Sequence, residues 1–64
     1  MPNQLTEQEV RDLKLGEYVQ VKKGGHTYMV DVVDDVEVRL RNIYNGNKTF
    51  RYYSDLTNRP LFRN

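Results

Sequence analysis

VEVRLRNIYNGNKTFRYY, from Val36 to Tyr53, is the stretch whose reading decides the fold. Val36, Val38 and Leu40 alternate with Glu37, Arg39 and Arg41, the period of two expected of a strand with one buried face. Phe50 and Tyr52 alternate in the same way with Thr49, Arg51 and Tyr53. Asn45-Gly46-Asn47 stands between the runs, so the stretch reads as a hairpin. Turn length decides whether its faces agree. A two-residue turn at Asn45-Gly46 sets Leu40 opposite Arg51, an apolar residue against a charge. A three-residue loop, Asn45-Gly46-Asn47, sets Leu40 opposite Tyr52, Asn42 opposite Phe50 and Arg41 opposite Arg51. Facing residues share one side of a sheet, and a slip of one residue moves a strand to the wrong face. The apolar match therefore predicts the three-residue loop, with Gly46 or Asn47 at a positive φ.

This register gathers a surface. Arg41 faces Arg51, Arg39 lies beside Tyr53, and Lys48, Asn45 and Asn47 adjoin them at the tip. Like charges placed directly opposite cost up to about 1 kcal/mol, which an anionic ligand relieves and which long side chains also relieve by splaying into water. Charge along the chain is uneven in the same sense. Residues 1–38 hold four lysines and arginines against eight acids, and residues 39–64 hold six against Asp55 alone. The halves therefore carry −4 and +5 within a net charge of +1, a pointer to a polyanionic or acidic partner that folding can dilute.

Length bounds the rest. At 64 residues the chain makes one domain, 1–64, with 1–14 as an extension bearing a short helix and 15–64 as the barrel. So small a core is compatible with a homodimer. There is no cysteine, hence no disulfide and no thiolate metal site. No run nears the roughly 20 apolar residues of a membrane helix, and MPNQLTEQE does not read as a signal peptide, so a cytoplasmic protein with no membrane partner is the expectation.

Elsewhere the chain predicts its elements in turn. Thr6 with Glu9 reads as a capping box and Leu5 with Val10 as a hydrophobic staple, opening a helix from Glu7 to about Lys14 that Gly16 stops. Glu17–Lys22 follows as a strand with Val19 and Val21 inward, then a two-residue Gly24-Gly25 turn pairing Val21 with Tyr28 and Val19 with Val30. Thr27–Val33 is the next strand, with Val32 inward. A Val33-Asp34-Asp35 loop, Asp35 left-handed, would pair Val32 with Val36, Val30 with Val38 and Tyr28 with Leu40. Ser54–Asn58 reads as a helical turn that plugs the core with Leu56, and Arg59–Phe62 as a closing strand. The fold class is mainly β: a small SH3-like antiparallel β-barrel with a short N-terminal helix and a single helical turn before the last strand.

LKLGEYVQV, TYMVDVVDDVEVRLRN and FRYYSDL together resemble the layout of SH3-like barrels, the KOW and Tudor modules in particular, over Leu15 to Leu56. What the resemblance implies is a binding module without catalysis, with nucleic acid or a protein segment as ligand.

Catalysis finds little to build on. His26 is the only histidine and Ser54 the only serine, so no nucleophile–base pair is recognisable. Asp31, Asp34, Asp35 and Glu37 match no calcium loop and read as a solvated hairpin tip. Gly24-Gly25 lacks the lysine and helix start of a phosphate loop. No catalytic residue, metal ligand or cofactor is assigned. The leading expectation is a nucleic-acid site, for RNA or single-stranded DNA, on Arg39, Arg41, Arg51, Tyr53, Lys48, Asn45 and Asn47, since arginine grips phosphate, aromatics stack on bases and asparagine reads base edges. The alternative is a small protein–protein interaction module or inhibitor, using exposed tyrosines such as Tyr18, Tyr44 and Tyr53, or adding an edge strand to a partner's sheet. A site neutralising about four phosphates would lose roughly 100-fold in affinity between 50 and 200 mM salt, as an oligonucleotide titration would read.

Overall fold

Asn42 sets the register of the central hairpin, and not as the apolar match predicts. The computed structural model describes residues 3–63. Within them β4 (Glu37–Asn42) pairs with β5 (Lys48–Tyr52) so that Leu40 faces Thr49, Val38 faces Arg51 and Arg41 faces Lys48. The three-residue loop is thus replaced by a four-residue connection, Ile43 to Gly46, closed by the Asn42 N–H donating to the Asn47 carbonyl at 2.7 Å. The cause is local. The Asn42 side chain, 3% exposed, accepts the Tyr44 N–H at 2.8 Å and the Asn45 N–H at 3.2 Å, and the Asn42 carbonyl accepts the Gly46 N–H at 2.9 Å. A turn organised from Asn42 must begin there. Gly46 takes the expected positive φ, 77°.

The odd residue sits in a strand and not in a loop. β3 (Thr27–Val33) pairs Tyr28 with Asn42, Met29 with Arg41 and Val30 with Leu40, then shifts register before Val32–Arg39 and Val33–Val38. This bulge at Asp31 turns Val33 instead of Val32 to the inner face, opposite Val38. It also corrects three expectations: Val32 and Val36 are exposed, at 40% and 60%, and Asp35 is not left-handed, since no described residue but glycine has a positive φ. The Asp34 N–H instead closes the turn on the Glu37 carbonyl at 2.9 Å.

β2 (Tyr18–Gln20) pairs with β3 as Tyr18–Met29, Val19–Tyr28 and Gln20–Thr27. The Gly24-Gly25 connection is therefore longer than two residues. The shift from the expected pairing is an even one, so Val19, Tyr28 and Val30 keep their faces. The helix is shorter than expected: α1 spans Glu7–Arg11 and ends on Asp12, with the Thr6–Glu9 capping box formed in both directions. Those bonds from Thr6, backbone N–H first, hold the Glu9 carboxyl below its usual range. Gly16 lies beyond the helix and donates its N–H to Val30, fixing the entry to β2.

A 3-10 turn, Tyr53–Asp55, precedes Leu56 and the closing strand β6 (Phe62–Arg63). β6 joins β2 to β1 (Asn3–Gln4), which the sequence reading does not contain. The described residues thus form six antiparallel strands ordered β1-β6-β2-β3-β4-β5, curled into a half-barrel compatible with an SH3-like fold. Leu5, Val10 and Leu13 from the helical segment join Val19, Val30, Val38, Leu40, Tyr53, Leu56 and Leu61 in one core.

Asn42→Ala leaves two loop amides without their acceptor, so we expect a loss of about 1–3 kcal/mol in urea unfolding. Faster hydrogen exchange at the Tyr44 and Asn45 amides should accompany it.

Candidate functional site

The register divides the residues that the sequence reading had brought together. Arg41 and Arg51 do not face each other: Arg41 pairs with Lys48 on the outer face, and Arg51 pairs with Val38 on the inner one. Arg51 is 7% exposed. Its Nη1 donates to the Phe50 carbonyl at 2.9 Å and to the Thr49 hydroxyl at 3.4 Å, and its buried Nε has no partner among the described residues. Burial, with Arg59 nearby, pushes its pKa down.

Tyr53 is also inside, 3% exposed. Its hydroxyl donates to the Asp34 carbonyl at 2.7 Å, and the Arg11 guanidinium carbon lies 4.3 Å from its ring centroid. The phenol therefore ties the β3–β4 turn to the 3-10 turn while its ring seats α1. It is a core residue. Burial holds its pKa above the ordinary value against the opposing effect of Arg11. Asn45 and Asn47 serve their own turn, the Asn45 side chain accepting the Asn47 N–H at 2.9 Å.

Three members of the expected set do share the outer face: Arg39, Arg41 and Lys48. Two of them are partnered. Arg39 donates to Glu37 at 3.1 Å, and Arg41 to Asp31 at 3.1 Å. In each pair the arginine is about half exposed and the carboxylate largely covered, so solvent screens the pair and each is individually weak. Their carboxylates nonetheless offset two of the three positive charges.

The same register brings out what the sequence reading had put inside. Phe50 faces Arg39 and Tyr52 faces Glu37 on the outer side, 42% and 48% exposed, their rings edge to face with centroids 5.1 Å apart. Val32 lies across from Arg39, and Tyr18 across from Met29. A groove of about 290 Å³ over β3, β4 and β5 is lined by Val32, Arg39, Leu40, Lys48 and Phe50 among others. The signal that could have found this face is Asn42 itself, a side chain suited to starting a turn at the end of an alternating run.

No family model, curated protein or solved structure matches the chain. Among the described residues no group of acids and histidine is placed to hold a metal ion, and no helix is long and apolar enough to cross a membrane.

Tyr53→Phe removes the bond to Asp34 and should destabilise by about 1 kcal/mol. It should also change the alkaline limb. A phenol whose pKa is raised in the fold contributes stability that is complete below its unfolded pKa and lost as pH rises through the folded one. We expect unfolding free energy measured from about pH 9 upward to fall less steeply in Tyr53→Phe than in the wild type, the unfolded phenol titrating near 10.

Proposed function

We propose that the protein is a non-enzymatic, cytoplasmic binding module that docks on another protein through the outer face of β3, β4 and β5. The observation that carries this reading is the exposed Phe50–Tyr52 pair. A chain with so small a core leaves these two large aromatic side chains on the surface, next to the tethered Arg39 and across it from Val32. Aromatics and arginine are the residues that dominate protein interfaces when a partner desolvates them. The ion pairs Arg39–Glu37 and Arg41–Asp31 suit that role, because both partners of each pair arrive already hydrogen-bonded. A standard interface needs about 800 Å² from each side, a modest share of the 4384 Å² exposed here.

Nucleic-acid binding had rested on Arg41 facing Arg51 with Tyr53 alongside. With Arg51 and Tyr53 inside, and two of the three remaining cations paired, the face has lost the field that would favour phosphate. The likeness to SH3-like barrels, KOW and Tudor modules included, supports a binding role without choosing the ligand.

The test places a photo-crosslinking p-benzoylphenylalanine at position 52 and irradiates nuclease-treated lysate. A discrete protein adduct is expected, lost when Phe50→Ser is added; Phe50→Ser alone should unfold within about 1 kcal/mol of the wild type because the ring is half exposed. Failure to form any adduct overturns the reading. So does binding to a random oligonucleotide that weakens steeply with salt and survives Phe50→Ser.

A further inference from the structure

The second unusual feature of the molecule is Arg51, a buried guanidinium with no carboxylate partner among the described residues. Buried charges are paired in most proteins, and an unsatisfied donor costs stability. Its place in the sheet supplies a reason. β5 is an edge: it bonds β4 on one side and no described strand on the other. The Asn42–Asn47 and Val36–Tyr53 backbone bonds fix the alternation along β4 and β5. By that alternation Thr49 and Arg51 turn their backbone groups to β4, and Lys48, Phe50 and Tyr52 turn theirs to the open side. The Phe50 carbonyl on that side is the acceptor of Arg51 Nη1. So Nη1 is bonded at the open edge, while Nε is buried and unpartnered, to be reached by a visitor only when the bond to the Phe50 carbonyl is given up. Nη2 makes no hydrogen bond to a described residue either. Nε and Nη2 together are the side-on fork that grips a carboxylate with two parallel bonds.

From this geometry, and resting on the protein-binding reading above, we propose that β5 accepts an extended segment of the partner as an added strand, and that the segment carries an Asp or Glu opposite Arg51. A strand laid along β5 bonds the backbone groups of Lys48, Phe50 and Tyr52 and takes over the Phe50 carbonyl from Arg51. Its residue opposite Arg51 then lies on the same inner face, with Cβ atoms about 4.5–5.5 Å apart, within reach of a carboxylate but also within a surface from which water is excluded. An apolar side chain there would leave the guanidinium buried without a partner, and an amide would accept one bond but leave its charge uncompensated. Arg51 therefore selects the segment as well as holding it.

A second copy of this chain fits poorly. Two β5 strands paired antiparallel about Phe50 would set Thr49 against Arg51 and bring the two Arg51 side chains into diagonal register, about 7–8 Å apart on the inner face. β5 has no acid to separate them.

The test is a titration of the ¹⁵N-labelled protein with the blocked peptide Ac-Ser-Thr-Val-Glu-Val-Thr-NH₂ and its Gln counterpart, followed by amide and Arg51 Nε–H shifts. We expect the Glu peptide to move the Lys48, Phe50 and Tyr52 amides and the Arg51 Nε–H, and to bind about tenfold or more tightly than the Gln peptide. Arg51→Gln should equalise the two peptides. Arg51→Lys, which keeps the charge without the fork, should retain only part of the preference, and both spectra report directly whether the variants fold. Equal affinity of the two peptides for the wild type, or shifts confined to the outer face, overturns the proposal. So does a (dT)₁₅ oligonucleotide that moves the Arg51 Nε–H where the Glu peptide does not. If these fail while the position-52 adduct forms, the outer-face reading stands and the edge inference alone falls.

Discussion

One buried carboxamide decides which side of the sheet faces the world. Asn42 uses its backbone N–H, its carbonyl and its side-chain oxygen to organise the connection to β5, and its Nδ2 lies 3.4 Å from His26 Nδ1 in the neighbouring tip. Side chains alternate along β5, so fixing the first pairing fixes every later one. Phe50 and Tyr52 go out and Arg51 goes in as a consequence of a turn several residues away. A polar group that satisfied would be costly to misplace, since the alternative leaves the buried Asn42 side chain unpaired and the loop amides without their acceptor.

The bulge at Asp31 is the matching device on the other side of β4. It changes the parity of β3 part-way along, so that Val30 and Val33 can both serve the core while Val32 joins the outer face. Asp31, at the bulge, holds Arg41 through two hydrogen bonds. The irregularity thus shapes the outer face as well as the interior.

Arg51 and Tyr53 show how little separates a core position from a site in so small a protein. The core is completed by residues remote in sequence, Leu5, Val10 and Leu13 from the helical segment and Leu56 and Leu61 from the last turn and strand. With those in place the half-barrel does not need Phe50 or Tyr52 inside, and the inner face near the edge can hold a guanidinium. Tyr53 stays inside because its hydroxyl finds the Asp34 carbonyl and its ring finds Arg11. The sequence reading of Val36–Tyr53 went astray by requiring apolar to face apolar. That rule holds for central strands buried against a full core and fails at an edge strand, where one neighbour is missing.

By itself the sequence determined what depends on neighbours a few residues apart. The Thr6–Glu9 capping box, the span Thr27–Val33, the turn glycine at 46 and a helical turn before the last strand, found at Tyr53–Asp55 where Ser54–Asn58 was expected, all rest on local bonds and local sterics. Tertiary structure alone decided the burial that makes Asn42 the start of the hairpin turn, the place of the bulge and the strand β1, since these compare the packing of whole faces contributed by distant segments. The surface follows from them: Arg51 lies behind the face that holds Arg41 because Asn42 starts the turn, and Leu61, Leu5 and Leu13, which no window of sequence around Arg51 contains, fill the interior in place of Phe50 and Tyr52.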